Sequence, residues 1–241
     1  MLRSVEHNGL LTAPSQRTLS DYVADQLRQA ILAGEFKPNE RLVEHLIAER
    51  IQTSRGPVRD AIKILENEGL VIRQSHRGAF VAQLQPDDFM EIYSLREALE
   101  TLAIKYVIKN ATDQQISVLE NLVHSMEGLA RQDYSQGDAT DLDMEFHYTM
   151  CKISGHKRVL NAWESMSGQI RLVLLKHRLE NPQDLRDRSV AWHEKIVAAL
   201  CRRDTEMAIK ELHTHMAASI EWVEAKVKEN NRQKPVFKSS V

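Results

Sequence analysis

The sequence predicts a mainly α-helical protein: three helices closed by a short β-hairpin, then an all-α bundle of about six helices. Three observations carry this. Glycine, proline and phenylalanine are scarce, at 9, 6 and 5 of 241 residues, while Leu, Ala, Glu, Lys and Arg abound, a helix-forming balance. The β-prone runs "LVIRQ" and "AFVAQL" both fall between residues 70 and 84. From Asp87 to about residue 229 the apolar period is helical throughout.

Taken in order, residues 1–16 hold no sustained period and contain Pro14, so they read as a loose arm. A first helix begins at Leu19. Ser20 is its expected cap, with Val23, Leu27, Ala30 and Ile31 facing inward. Gly34 and Pro38 end it. A second helix covers about Val43 to Arg50, and "IQTS" is a tight turn. A third runs from Ser54, a good N-cap residue, to Glu68, with Gly69 just beyond as the C′ residue. The hairpin follows, its tip at "SHRG". Pro86 and the acidic residues after it suit a hinge and a new helix start. Breaks near residues 110–113, 134–138, 154–156, 180–182 and 203–204 divide the remainder into about six helices. The expected domains are 17–84 and 85–229, with a polar tail over 230–241.

Bulk properties exclude several classes. The formal net charge of −2 provides no global basic field, so nucleic-acid binding must rest on local placement. Cys151 and Cys201 lack a CxxC partner, which suits a reducing cytoplasm and argues against a disulfide framework. No run of 18 apolar residues spans a membrane, and the N-terminus has no signal-peptide pattern.

Two short helices, a tight turn and a capped third helix form the helix-turn-helix pattern, and the hairpin makes it winged. In the third helix Val58, Ile62 and Leu65 form the buried stripe. Arg55, Arg59 and Lys63 recur at i, i+4 and i+8 on another face. Arginines at a helix N-terminus oppose the macrodipole. A DNA phosphate or a guanine edge would compensate them, with Thr53 and Ser54 hydroxyls as further phosphate contacts. The residues alone read equally well as a solvated basic face.

Residues 36–82 resemble the winged helix-turn-helix of GntR-type transcriptional regulators. The matching positions are Pro38, Arg41-Leu42, Ala48, Ser54-Arg55, Pro57-Val58-Arg59, Ala61, Leu65, Glu68-Gly69-Leu70, Gly78 and Val81. The resemblance implies operator contacts by Arg55 and Arg59, with further contributions from His45 and the wing tip, His76, Arg77 and Gly78. Two positions depart from the family. Asn39 stands where glycine is usual, and Asn tolerates positive φ. Gly56 stands where threonine is usual, which weakens the first turn of the helix and removes a hydroxyl.

Farther on, "LDMEFHYTM" places Asp143 and His147 one turn apart on one helix. His193 lies in "SVAWHEKIVAAL", and His213 and His215 lie in "AIKELHTHM". One carboxylate and three imidazoles from three helices can hold a divalent cation inside a bundle. Nitrogen-rich ligation suits Zn, Ni, Co, Fe or Mn. Ten histidines in the chain make a plain polar core the competing reading, and periodicity does not separate His213 from His215.

From residue 87 to about 222 the chain resembles the all-helical FCD effector domain of the FadR subfamily. The matching pieces are "YSLREALETLAIKYV", "DMEFHYTM", "WHEKIVAAL" and "AIKELHTHM". Six helices rather than seven are more similar to the VanR branch than to FadR. The resemblance implies metal ligation by Asp143, His147, His193 and His215, Zn or Ni foremost, and a small organic-acid effector. Arg96 is the candidate partner of that acid, or else the partner of Glu97 or Glu100, and Arg171 is a second candidate.

The expected function is therefore a homodimeric, ligand-responsive regulator of palindromic operator DNA, in the family's usual manner a repressor, and not an enzyme. Two alternatives are a metal-dependent enzyme fused to a DNA-binding domain and a pure metal sensor. Against the enzyme, the chain has no HExxH, and adjacent His193 and Glu194 diverge on a helix.

Overall fold

The computed structural model describes residues 18–233. The expected N-terminal arm and most of the expected tail lie outside them. Helix α1 (Leu19–Leu32) is capped by Thr18 rather than Ser20: Asp21 N–H bonds the Thr18 hydroxyl, and the Asp21 carboxylate accepts from Thr18 N–H at 2.8 Å. A reciprocal box satisfies two end donors at once, which a lone serine inside the first turn cannot do.

Strand β1 (Arg41–Leu42), helix α2 (Glu44–Arg50), helix α3 (Arg55–Asn67) and strands β2 (Val71–Gln74) and β3 (Gly78–Val81) complete the winged module. The sheet is antiparallel in order β1-β3-β2, so the two-residue β1 adds an edge to the hairpin. Asn39 takes φ 65° and Gly69 φ 73°, as the turn and the C′ position require. Val58, Ala61, Ile62 and Leu65 of α3 pack with Val23, Leu27 and Ile31 of α1 in one apolar core.

Among the described residues the second half holds seven α-helices: α4 (Pro86–Asn110), α5 (Asp113–Ala130), α6 (Gln136–Ile153), α7 (Lys157–Glu164), α8 (Ser167–Glu180), α9 (Val190–Cys201) and α10 (Thr205–Gln233). A π-helical turn, Leu185–Ser189, leads into α9. The expected six become seven because one helix over 157–180 is broken at Ser165–Met166, where Met166 leaves helical geometry at φ −118°, ψ 3°. The helix count therefore no longer favours the VanR branch. The last helix also runs past residue 229, to Gln233.

Two apolar clusters fill the bundle. One is built around Ile104, Phe146, Ile196 and Leu212, the other around Tyr93, Trp163, Ile170 and Val223. No helix of the described residues is long and apolar enough to cross a membrane.

Candidate functional site

The structure presents two separate constellations. The first is the open face of α3. Arg55, Arg59 and Lys63 are all exposed, while the opposite stripe is buried. Their cationic ends are only loosely engaged: Arg59 meets Glu44 at 3.3 Å and Lys63 meets Asp60 at 3.0 Å. Exposed pairs of this kind are worth little and exchange readily for another anion. Ser54 sits at the N-cap, but its hydroxyl makes no capping bond. The first amides of α3, the Ser54 hydroxyl and the half-buried Thr53 thus remain at the helix end, where an anion is favoured. His45 is exposed on α2. At the wing tip His76 and Arg77 are exposed, with His76 at φ 59° and Gly78 at φ 103°. The Arg77 guanidinium lies 5.7 Å from the Phe80 ring centre, which holds it along the wing.

The second constellation is buried in the bundle. Asp143 and His147 on α6, His193 on α9 and His215 on α10 each offer a ligand atom, and these atoms all lie within 4.8 Å of one another. His147 Nε2 is 3.0 Å from His215 Nε2 and 3.3 Å from His193 Nε2. Asp143 oxygens stand 3.7 Å from His147 Nε2 and 3.6 Å from His193 Nε2. Ligands around a cation at about 2.0–2.2 Å are themselves roughly 3.0–3.5 Å apart, so the spacing fits.

The protons make the stronger test of fit. His147 Nδ1 lies 2.6 Å from the Glu100 carboxylate, and His193 Nδ1 lies 2.7 Å from the Ser189 carbonyl. Both partners are acceptors, so each imidazole commits its proton at Nδ1. Between His147 Nε2 and His193 Nε2, 3.3 Å apart, there is then no hydrogen, so their lone pairs repel; His215 Nε2–H can donate to His147 Nε2 at 3.0 Å, but His193 Nε2 has no donor among the described residues. A shared electrophile relieves that repulsion. A plain polar core would instead pair donors with acceptors. Burial pushes His193 down to about 4 and holds His215 well below the ordinary imidazole value, with His193 and His147 beside it adding to the effect. The His193 and His215 rings are thus neutral and ready to ligate at neutral pH.

Two buried arginines and a second carboxylate frame the cluster. Glu100 accepts from Arg96 Nε at 2.8 Å, from His147, and from Trp163 Nε1 at 2.9 Å. Burial alone would raise its pKa, but Arg96 and His147 outweigh that and hold it at about 2. Glu100 is thus an ionised second carboxylate that fixes the His147 tautomer. Asp143 is likewise held low, with burial outweighed chiefly by His147 and Arg178.

Arg178 Nη2 bonds Asp143 Oδ1 at 3.0 Å, while Arg178 Nη1 and Nε, Arg96 Nη2, Asp143 Oδ2 and His215 Nδ1 have no hydrogen-bond partner. Both arginines are 1% exposed. They line a cavity of about 10 Å³ with Asp143, His177, Trp192 and His215. Arg96 Nη2 stands 3.7 Å from Asp143 Oδ2 and Arg178 Nη1 stands 3.7 Å from Asp184 Oδ2, ion pairs too long for hydrogen bonds; guanidinium N–H groups held this way are suited to further carboxylate oxygens.

Of the expected residues, the structure brings together Asp143, His147, His193, His215 and Arg96. Arg96 forms the salt bridge with Glu100, and its Nη2 makes no hydrogen bond and stands 3.7 Å from Asp143 Oδ2. His213 stays on the surface, near Glu97 at 3.5 Å and Thr101 at 3.3 Å. Arg171 does not reach the cavity and pairs with Asp141 instead. Arg178, which sequence reasoning did not single out, lines the cavity. The two lie seven residues apart on nearly one stripe of α8, about 10 Å along the axis, so a helical wheel cannot choose between them.

Comparison with known proteins follows the same division. The family of bacterial regulatory proteins of the gntR type matches residues 19–81, and the FCD domain matches residues 91–218, just over half of the chain. A curated relative, the uncharacterized HTH-type transcriptional regulator YdhC of Bacillus subtilis, is 30% identical over 146 residues, covering 61% of this chain and 65% of that protein. The match thus spans under two-thirds of that relative's length. The gluconate operon transcriptional repressor of Bacillus licheniformis is 27% identical over 195 residues, 79% of each chain. Among solved structures, E. coli McbR/YncC superposes with a TM-score of 0.71 at 21% identity, covering 88% of this chain and all of that one, which shows a common fold.

Proposed function

This chain belongs to the GntR family of bacterial regulatory proteins and carries an FCD domain, and from that premise we propose that it is a ligand-responsive transcriptional regulator acting in the cytoplasm. In this reading a homodimer grips palindromic operator DNA through α3 and the wing. Arg55 and Arg59 read the major groove, Lys63, Thr53 and Ser54 hold phosphates, and His45, His76, Arg77 and Gly78 contact the flanks. The exposed apolar stripe of Leu95, Leu102 and Tyr106 on α4 is the surface assigned to the second copy.

Asp143, His147, His193 and His215 hold a divalent transition metal, Zn or Ni foremost, with Mn, Fe and Co as alternatives. Bound there, the metal supplies a positive centre for one oxygen of a small carboxylate effector. Arg178 and Arg96 orient the remaining oxygens through their unpaired N–H groups. The observation that carries this reading is the convergence of ring nitrogens of His147, His193 and His215 with an Asp143 oxygen, all within 4.8 Å, where His193 Nε2 meets only another imidazole nitrogen and no committed donor. The relative named for a gluconate operon agrees with an organic acid, and its name supports repression as the mode of action.

The family and its relatives are regulators, which leaves the enzyme alternative without support. The metal-sensor alternative shares the ligands but predicts a change in DNA affinity with metal alone. The test is operator binding by fluorescence anisotropy, using DNA upstream of the protein's own gene. The wild type is expected to bind with sequence preference. Arg59→Ala is expected to lose that preference while its metal content is unchanged. Equal affinity of the wild type for operator and scrambled DNA at moderate salt would contradict the proposal.

A further inference from the structure

Helix α8 ends at the buried site and begins at the recognition helix. At its C-terminal end, Leu174, His177 and Arg178 form one wall of the cavity. At its N-terminal end, Gly168 N–H donates to the backbone carbonyl of Glu68 at 3.1 Å. Glu68 is the C-cap of α3. The carbonyl end of α3 therefore abuts the amide end of α8, a favourable end-to-end meeting of helix dipoles.

The approach is close. A Cβ at Gly168 would stand 2.7 Å from the Glu68 carbonyl oxygen and 2.5 Å from Leu70 Cγ, so any side chain there forces the two helices apart. Leu172, one turn along α8, packs into the apolar core of the winged module. Arg171, bonded to Asp141 of α6, lies within the field of Arg28, Glu68 and Asp25 of that module, and burial there pushes its pKa down. Arg28 in turn bonds both Glu68 oxygens, at 2.6 and 2.8 Å.

We propose that α3 and α8 form one two-piece strut, jointed at Gly168, that transmits the state of the buried site to the recognition helix. This rests on the reading of the Asp143–His147–His193–His215 cluster as a cation site. The cavity of about 10 Å³ holds at most a water-sized occupant, so anything larger enters only by displacing a wall, and α8 is one of its walls. Gly168 lies about 15 Å from Arg178 along a continuous helix. A helix is stiff over that distance, so movement at Arg178 arrives at Glu68. Arg171 and Leu172 are joint residues in this account, which explains why Arg171 is half-buried yet does not line the cavity.

The test is hydrogen–deuterium exchange of the full-length protein with and without zinc, with the bound zinc counted by native mass spectrometry on the same samples. In the wild type, zinc is expected to slow exchange both in α8 and in residues 64–70, by about fivefold or more, the low end of allosteric coupling. Gly168→Ala is expected to bind the same zinc and to slow exchange near Arg178, but to leave residues 64–70 unchanged. If Gly168→Ala fails to fold, Leu172→Ala, which loosens the joint without a clash, is expected to give the same loss. An equal response of residues 64–70 in the variant, or no response there in a zinc-loaded wild type, would overturn the strut. A wild type that takes up neither zinc nor, on reloading, nickel would overturn the cation site, and the strut with it.

Discussion

His193 shows how one residue ties chemistry to stability. Its ring is fully buried and its Nδ1 proton is committed to the Ser189 carbonyl. Burial lowers its pKa from 6.5 to about 4, against the opposing pull of Asp143. The unfolded chain therefore takes up a proton between those values that the folded metal-free protein refuses. Its contribution to stability is complete above pH 6.5 and is lost as pH falls toward 4, by about 3 kcal/mol in total. Denaturant unfolding of the metal-free protein at pH 7, 6 and 5 is expected to show this decline, and His193→Ala to flatten it. The same variant is expected to lower metal content while leaving operator binding by the free protein intact. Full metal content in His193→Ala would refute the ligand set. Much of this site was legible at the residue scale, because Asp143 and His147 one turn apart advertise a shared face. Glu100 and Arg178 were less legible: their roles depend on which helix each faces across the bundle, and spacing along one helix does not reveal that.

At the scale of elements, α3 is a helix whose beginning is left open. Ser54 makes no capping bond, and Gly56 in the first turn has no neighbour nearer to its would-be Cβ than Ser54 Oγ at 4.0 Å. Nothing in the packing requires glycine there. Gly56→Ala is expected to raise stability by about 0.5–1 kcal/mol through reduced backbone freedom, seen as a higher melting temperature. A lower melting temperature would mean that Gly56 serves a contact invisible in the free protein. The winged module was readable almost element by element, because its turns depend on local signals such as Asn39, Gly69 and Gly78. The α7–α8 break was not. The local signal, Ser165, Ser167 and Gly168 in "ESMSGQ", lies inside an otherwise helical apolar period and does not stand out from it; the break allows α8 to turn and meet α3 at Gly168, a tertiary contact. Cap positions slipped for a related reason: Thr18 and Ser20 are both plausible caps, and only Thr18 has its acid three residues on.

Across the whole molecule, a net charge of −2 coexists with a concentrated basic face on α3 and the wing. Operator binding is therefore expected to be strongly salt-dependent, although the protein as a whole carries no basic field. The buried site and the DNA face stand at opposite ends of the α3–α8 arrangement, so neither needs to touch the other's ligand to influence it. The central claim is that this regulator carries a metal-anchored site in its helical domain. The most direct test is native mass spectrometry of protein purified without added metal or chelator, followed by reloading with zinc and nickel. A dimer carrying one divalent cation per chain, lost in His193→Ala, is the predicted result. A protein that remains metal-free after both reloadings would contradict the claim and leave Asp143, His147, His193 and His215 as a polar core.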